Sequence, residues 1–346
     1  MIILLSLLFM LMAALFVFTR LKVRQIEARY PPIGRMVDVG GYALHVVHVA
    51  APAGADLPPL VFVHGASGNL RDQMAAFLKP LAGRAEMLFV DRPGHGYSER
   101  GGSDNDTPGG QARSIAAAMR KLGIDRAILV GHSFGGAITA SFALEEPEMT
   151  AGLVFLAPAT HPWPGGLAWY YGLTATPVIG QIFANTLALP AGLMALQTGV
   201  KCVFAPNPLP ASYLEETAPA LVLRPGEFRA NAIDVDGLKA YVAGVASRYT
   251  EIAAPTVIIT GDSDPVVLAD IHSTGLDRDI ADSELVWVEN MGHKPDYVAT
   301  DLAIAAIEKV AGRPRDLQAM ARAVGRRIAA DDVRCGPAAK AGFRNS

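Results

Sequence analysis

Gly131-His132-Ser133-Phe134-Gly135 constrains this chain more than any other stretch, because the apolar run Ala127-Ile128-Leu129-Val130 leads directly into it and a small-residue, helix-like run follows. A G-x-S-x-G serine between a strand and a helix sits on a sharp turn that holds its hydroxyl clear of the backbone as a nucleophile. The flanking glycines matter because a Cβ two residues either side of the serine would collide with neighbouring backbone. With 34 Gly in 346 residues the five-residue pattern carries little weight alone. The flanking strand and the chemical partners elsewhere must support it.

A serine hydroxyl attacks poorly unless a histidine takes its proton and a carboxylate holds that histidine in one tautomer. In chain order the sequence offers Ser133, then Asp264 in Thr260-Gly261-Asp262-Ser263-Asp264-Pro265, then His293 in Asn290-Met291-Gly292-His293. Asp262 lies two residues from Asp264 and competes with it for the acid role. The apolar runs Thr256-Val257-Ile258-Ile259 and Leu285-Val286-Trp287-Val288 precede the acid and the base. All three groups are thus expected just beyond strand C-termini, where open α/β sheets place their sites.

With these motifs in view the chain resembles the α/β-hydrolase superfamily from about Gly34 to Gly312. Val61-Phe62-Val63-His64-Gly65-Ala66 is similar to the family's third strand and oxyanion loop, and Asp91-Arg92-Pro93-Gly94-His95-Gly96-Tyr97-Ser98 to its D-x-P-G-x-G-x-S turn. The resemblance implies Ser133 as nucleophile, Asp264 as acid, His293 as base, and the backbone N–H groups of Ala66 and Phe134 as the oxyanion hole. Two preorganised amides suit that task, since removing one such donor typically costs about 10²–10³ in rate. His64 and His95 fall in family turns and read as structural, and His132 is expected to point away from the site. Epoxide hydrolases and haloalkane dehalogenases of this fold carry aspartate where this chain has Ser133, which counts against both.

No H-E-x-x-H, C-x-x-C, G-x-G-x-x-G or G-x-x-x-x-G-K-[ST] pattern occurs, so neither a metal, a cofactor nor a nucleotide is expected. A net charge of −3 gives no sign of nucleic-acid binding. Cys202 and Cys335, the only cysteines, do not suggest a disulfide framework.

Met1 to Thr19 is uncharged and almost wholly apolar, enough for roughly 28 Å of helix, which spans a bilayer. Arg20, Lys22 and Arg24 follow the apolar run rather than precede it, and no good cleavage site is visible. An uncleaved single-pass anchor over residues 1–25 is therefore expected, with a cleaved signal and an exported enzyme as the alternative. The positive-inside rule then puts the catalytic domain on the cytoplasmic face.

Met36–Val39 and Ala43–Val47 around Gly40-Gly41 read as an opening hairpin, and strand-like runs follow near Leu60, Met87, Ala127, Leu153, Thr256 and Leu285. The expected fold is an α/β-hydrolase fold: a mostly parallel eight-stranded sheet with helices on both faces, built from residues 30–158 and 251–312. The intervening residues 159–250 are too long for a crossover and read as a helical cap. From Met149 to Val200 there is no Asp, Glu, Lys or Arg, although charged residues make up 18% of the chain. Within that stretch Trp169, Tyr170, Ile182, Phe183 and Leu187 are expected to line an apolar substrate pocket, with packing on the core and rest against the membrane as the other readings. Residues 313–346 form an Arg-rich tail, read as a solvated helix face or a lipid contact, whose last dozen residues are expected to lack order. Together these features imply a membrane-anchored serine hydrolase cleaving a small apolar ester through an acyl-Ser133 intermediate. A carbon–carbon bond hydrolase, a cofactor-free perhydrolase or haloperoxidase-like enzyme, and a non-catalytic binding protein at the membrane remain as alternatives.

Overall fold

The computed structural model describes residues 1–335. Its frame is one eight-stranded sheet: β1 (Arg35–Asp38), β2 (Ala43–Val49), β3 (Leu60–Val63), β4 (Met87–Val90), β5 (Ala127–His132), β6 (Thr150–Leu156), β7 (Thr256–Gly261) and β8 (Ser283–Val288). The spatial order is β1-β2-β4-β3-β5-β6-β7-β8, with β1 antiparallel to β2, β2 antiparallel to β4, and every later pairing parallel. The hairpin falls where Gly40-Gly41 marks it. Both glycines take positive φ, and Asp38 Oδ1 accepts both of their N–H groups.

The inner strands β3 to β7 are buried at nearly every position and mostly apolar because helices cover both faces of the sheet. On one face Leu129 and Phe155 pack with α3 (Pro108–Leu122) and α4 (Phe134–Glu145); on the other Ile128, Val130 and Phe62 pack with α2 (Leu70–Phe77). Local signals set the helix ends. In α3 the Thr107 side chain accepts from Gly110 N–H, Pro108 opens the first turn, and Gly123 closes the helix at φ 75°.

Between β6 and β7 lies the expected helical insertion, α5 (Trp169–Ala175), α6 (Pro177–Thr186), α7 (Ala188–Phe204), α8 (Tyr213–Thr217) and α9 (Pro225–Val245). After β7 come α10 (Ala269–Asp279), α11 (Pro295–Val298), α12 (Thr300–Val310) and α13 (Leu317–Ile328). The helix at the start of the chain, α1 (Ile2–Arg29), runs well beyond its apolar part. Residues 1–11 are exposed, whereas a stripe of Met12, Leu15, Thr19, Val23, Ile26 and Tyr30 is partly or wholly buried. Val23 and Ile26 pack with Leu189, Leu193 and Leu221–Leu223, so the helix docks on the cap.

Two expectations need correction. The Arg-rich tail is not merely a solvated face: α13 sets Leu317, Ala321, Val324 and Ile328 into the core at helical spacing, leaving its arginines outside. The two cysteines are paired, Cys202 in α7 with Cys335, with Cα atoms 5.5 Å apart. Nothing in a separation of 133 residues announces that bond. It forms because α13 turns the chain back toward the cap. The tail beyond Cys335, expected to lack order, lies outside the described residues.

Candidate active site

Ser133 stands between β5 and α4 at φ 53° and ψ −119°, in the strained elbow that the motif predicts. The glycines are required as argued: a Cβ on Gly131 would lie 2.7 Å from Gly135 O, and one on Gly135 2.2 Å from Val63 O. Ser133 N–H donates to Leu156 O, and its carbonyl accepts from Gly136 and Ala159 N–H, which fixes the elbow against β6 and its following loop.

His293 Nδ1 and Asp264 Oδ2 are 2.7 Å apart and both side chains are buried. A carboxylate only accepts, so Nδ1 carries a proton, and in the neutral imidazole Nε2 is the acceptor. The other Asp264 oxygen accepts from Val266 and Val267 N–H, which aims the carboxylate. Asp262 Oδ1 instead accepts from Asn290 N–H and the Ser263 hydroxyl in the exposed part of the loop, away from the imidazole. Among the described residues no hydrogen bond joins Ser133 Oγ to His293. Catalytic hydrogen bonds often tighten only with substrate in place. His132 does turn from the cavity, and it acts on the base from behind: its Nε2 donates to His293 O at 2.8 Å, with the two rings 4.9 Å apart.

Ala66, Ser133 and Phe134 border one cavity of about 680 Å³. Phe134 is the first residue of α4, where helix N–H groups lack intrahelical partners. The Ala66 loop comes close because Gly65 has no side chain; a Cβ there would be 3.0 Å from Ser133 Cβ. Next to it, Ser67 N–H donates to Asn231 Oδ1 of α9 at 2.7 Å, so the cap steadies the loop.

The cavity wall is Trp163, Leu167, Tyr171, Val235, Leu238, Val266, Val267 and His272. None of the five cap residues expected to line it does so. Trp169, Ile182 and Leu187 are exposed on the outside of the cap, while Tyr170 and Phe183 pack beside Phe228. Their placement follows from helix phase: α5 turns Tyr171 inward, which puts Trp169 outward. His272 is a wall residue that the sequence reading passed over. Its Nδ1 accepts from the N–H groups of Thr160 and His161, and burial pushes its pKa down to about 4, so a neutral ring faces the cavity.

Buried polar groups behind the wall also escaped the sequence reading. Arg92 donates to Asp234 of α9 at 2.8 Å, and its guanidinium lies 4.5 Å from the Phe134 ring. His64 Nε2 accepts from Arg92 N–H and His95 Nε2 from its guanidinium; burial holds both imidazoles well below the usual pKa, in keeping with structural roles. Asp72, His132 and Asp296 converge closely, but the Lys294 ammonium already bridges the two carboxylates at 2.8 and 3.0 Å.

A serine on the β5 elbow and a histidine–carboxylate pair beyond β7 and β8, all at the C-terminal edge of this sheet, define a class of α/β enzymes. Residues 58–295 match the family model described as alpha/beta hydrolase fold, and the chain belongs to that family. A 2-hydroxy-6-oxononadienedioate/2-hydroxy-6-oxononatrienedioate hydrolase of Comamonas testosteroni is 30% identical over 216 residues, 62% of this chain and 73% of that one. A hydrolase of the same name from Klebsiella pneumoniae is 28% identical over 273 residues, 77% of this chain and 90% of that one. The fold is similar to that of an enol-lactonase from Burkholderia xenovorans, with TM-score 0.63 at 19% identity, covering 81% of this chain and 100% of that one.

Proposed function

We propose that the chain is a serine hydrolase of neutral, apolar esters. The observation that carries this reading is the cavity wall at Ser133: among the described residues that line it, His272 is the only ionisable side chain apart from Tyr171, and there is no Lys or Arg. A substrate carboxylate buried there would lack a cation, and burying an unpaired charge is costly. In this mechanism His293 Nε2 takes the Ser133 proton as Oγ bonds to the acyl carbon. The N–H groups of Ala66 and Phe134 hold the oxyanion, His293 returns the proton to the leaving alkoxide, and water activated by His293 then releases the acid.

Carbon–carbon bond hydrolysis is the second reading, favoured by the names of the similar hydrolases. Purified protein offered p-nitrophenyl esters and 2-hydroxy-6-oxo-6-phenylhexa-2,4-dienoate, the substrate in the name of another similar hydrolase, separates the two. Faster turnover of the dienoate would sink the ester reading, and failure of a fluorophosphonate to label Ser133 would sink both.

The apolar part of α1 acts as an anchor in this reading, and the Cys202–Cys335 pair favours an oxidising compartment for the catalytic domain. That orientation is opposite to the one expected from the basic residues after the helix. Protease protection in sealed vesicles of known sidedness tests it; cleavage only from the cytoplasmic side would restore the first orientation.

A further inference from the structure

The outside of the cap carries an apolar surface for which the sheet and the cavity have no use. Trp169 is 72% exposed, Val178 70% and Met194 85%, with Ile179 and Ile182 more than half exposed. They belong to α5, α6 and α7, within the stretch that lacks Asp, Glu, Lys and Arg. Trp169 meets Phe183 of α6 edge to face and α7 follows α6 directly, so these side chains stand on adjoining elements, and exposed apolar surface of this kind marks a contact with another apolar phase.

The course of α1 identifies that phase. Thr19 Oγ1 donates to Thr186 O at 3.3 Å, and Arg20 donates to Asn185 Oδ1 at 2.8 Å, so α1 passes the C-terminal end of α6 at the point where its own sequence changes from apolar to basic. Beyond Thr19 the helix packs on α7 and the turn Pro219–Leu223. Before Thr19 it keeps Met12 and Leu15 half-buried on the same stripe and otherwise presents Leu, Ile, Phe and Met to the outside. The Arg20 and Lys22 cations lie over the rings of Phe16 and Phe18, so the first basic side chains cover the last aromatic turn of the apolar run and mark where it ends.

We infer that the outer face of α6 and α7, with Trp169, is a membrane surface: it sits in the acyl-chain boundary of the same bilayer leaflet that α1 enters, as a second, non-spanning attachment. The inference rests on the reading of α1 as a bilayer helix. It also reassigns Trp169, Ile182 and Leu187 from the inside of a pocket to the outside of the lid. Val178 lies about 10 Å along α6 from Asn185, so the exposed apolar stripe of α6 begins within two turns of the point where α1 turns basic. Leu167 and Tyr171 line the cavity on either side of Trp169, so one helical turn separates lipid from the nucleophile's chamber. A neutral ester dissolved in the bilayer would therefore reach Ser133 under the lid, and that class of substrate is the one this surface selects.

The test uses the full chain reconstituted in phosphatidylcholine vesicles that contain a lipid with a photoreactive diazirine on its acyl chain, with adducts mapped by mass spectrometry. Adducts on both α1 and the segment Trp169–Met194 are expected. The double variant Ile179→Glu/Ile182→Glu, placed at exposed positions, should lower the cap adducts by about tenfold or more, since charges enter a bilayer at high cost, while leaving those on α1. Adducts on α1 alone, in the wild-type chain, would overturn the inference and keep the anchor; that is also the outcome if a second copy of the chain covers this face. No adducts on either would overturn both. Unchanged cap labelling in the double variant would show that the labelling is not insertion of α6.

Discussion

The candidate triad side chains stand on three separate turns, after β5, β7 and β8, so removing one should act on chemistry more than on folding. Ser133→Ala and His293→Ala should each lower kcat on a chromogenic ester by several orders of magnitude, and the double variant should lose little more than either single one. Asp264→Asn should cost on the order of 10⁴, because the imidazole would then be held in the wrong tautomer. Asp262→Asn should cost far less, since Asp262 reaches the Asn290 backbone and the Ser263 hydroxyl and not the imidazole; the opposite ranking would reassign the acid. Ser133, Asp264 and His293 were legible as candidates because each follows an apolar strand and a turn with its own chemistry. His272 was not, because its part comes from Thr160 and His161, more than a hundred residues away.

Glu227 offers a second test at this scale. Burial pushes its pKa up to about 7, against the opposing pull of Arg224, whose guanidinium it accepts at 2.8 Å. The folded chain thus keeps a proton that the unfolded chain loses near 4.5. Stability contributed by this group should fall as pH rises from about 4.5 to about 7 and level off above. Denaturant titrations of wild type and Glu227→Gln across that window should differ in slope, with the wild type losing on the order of 2 kcal/mol more. Parallel slopes would show that Glu227 is already ionised at the acid end.

Among the elements, α13 and α1 show how a strong surface signal hides a core one. Leu317, Ala321, Val324 and Ile328 carry the 3.6-residue period, but arginines between them dominate the eye, and only the exposed edge face of β8 explains why that stripe is buried. In α1 the apolar half was legible by length and composition. Its docked half was not, since Ile26 finds its partners in a cap whose path no local pattern gives. The Cys202–Cys335 bond ties the end of α13 to α7 and closes a loop of 133 residues. Cys335→Ser should lower stability by about 2–5 kcal/mol, read as a lower melting temperature, and added reductant should do the same to wild type but not to the variant. Equal melting temperatures with and without reductant would show that the bond does not form in solution.

At the scale of the whole molecule the sheet was the most legible part, because a parallel strand buried on both faces writes itself as an uninterrupted apolar run. The cap was legible as an interruption of strand–helix alternation. Its inner and outer faces were not, because a segment apolar all round does not say which side meets the core. Asp234 and Asn231 of α9 reach back to Arg92 and to Ser67, so the cap is joined to the oxyanion loop and to the turn after β4.

A third link of this kind leads to the base. Asn207, just past α7, accepts from Gly292 N–H and donates to Asn290 O, clasping the backbone on the approach to His293. Removing the clasp in Asn207→Ala should lower kcat with little change in KM, because the imidazole loses its aim while the cavity wall is untouched. A change in KM alone would show that Asn207 serves only the lid. Asn207 thus links the end of α7 to the backbone before His293. A displacement of α7 is therefore expected to reach the backbone before His293 through Asn207, and a shift in kcat when α7 is perturbed would read it.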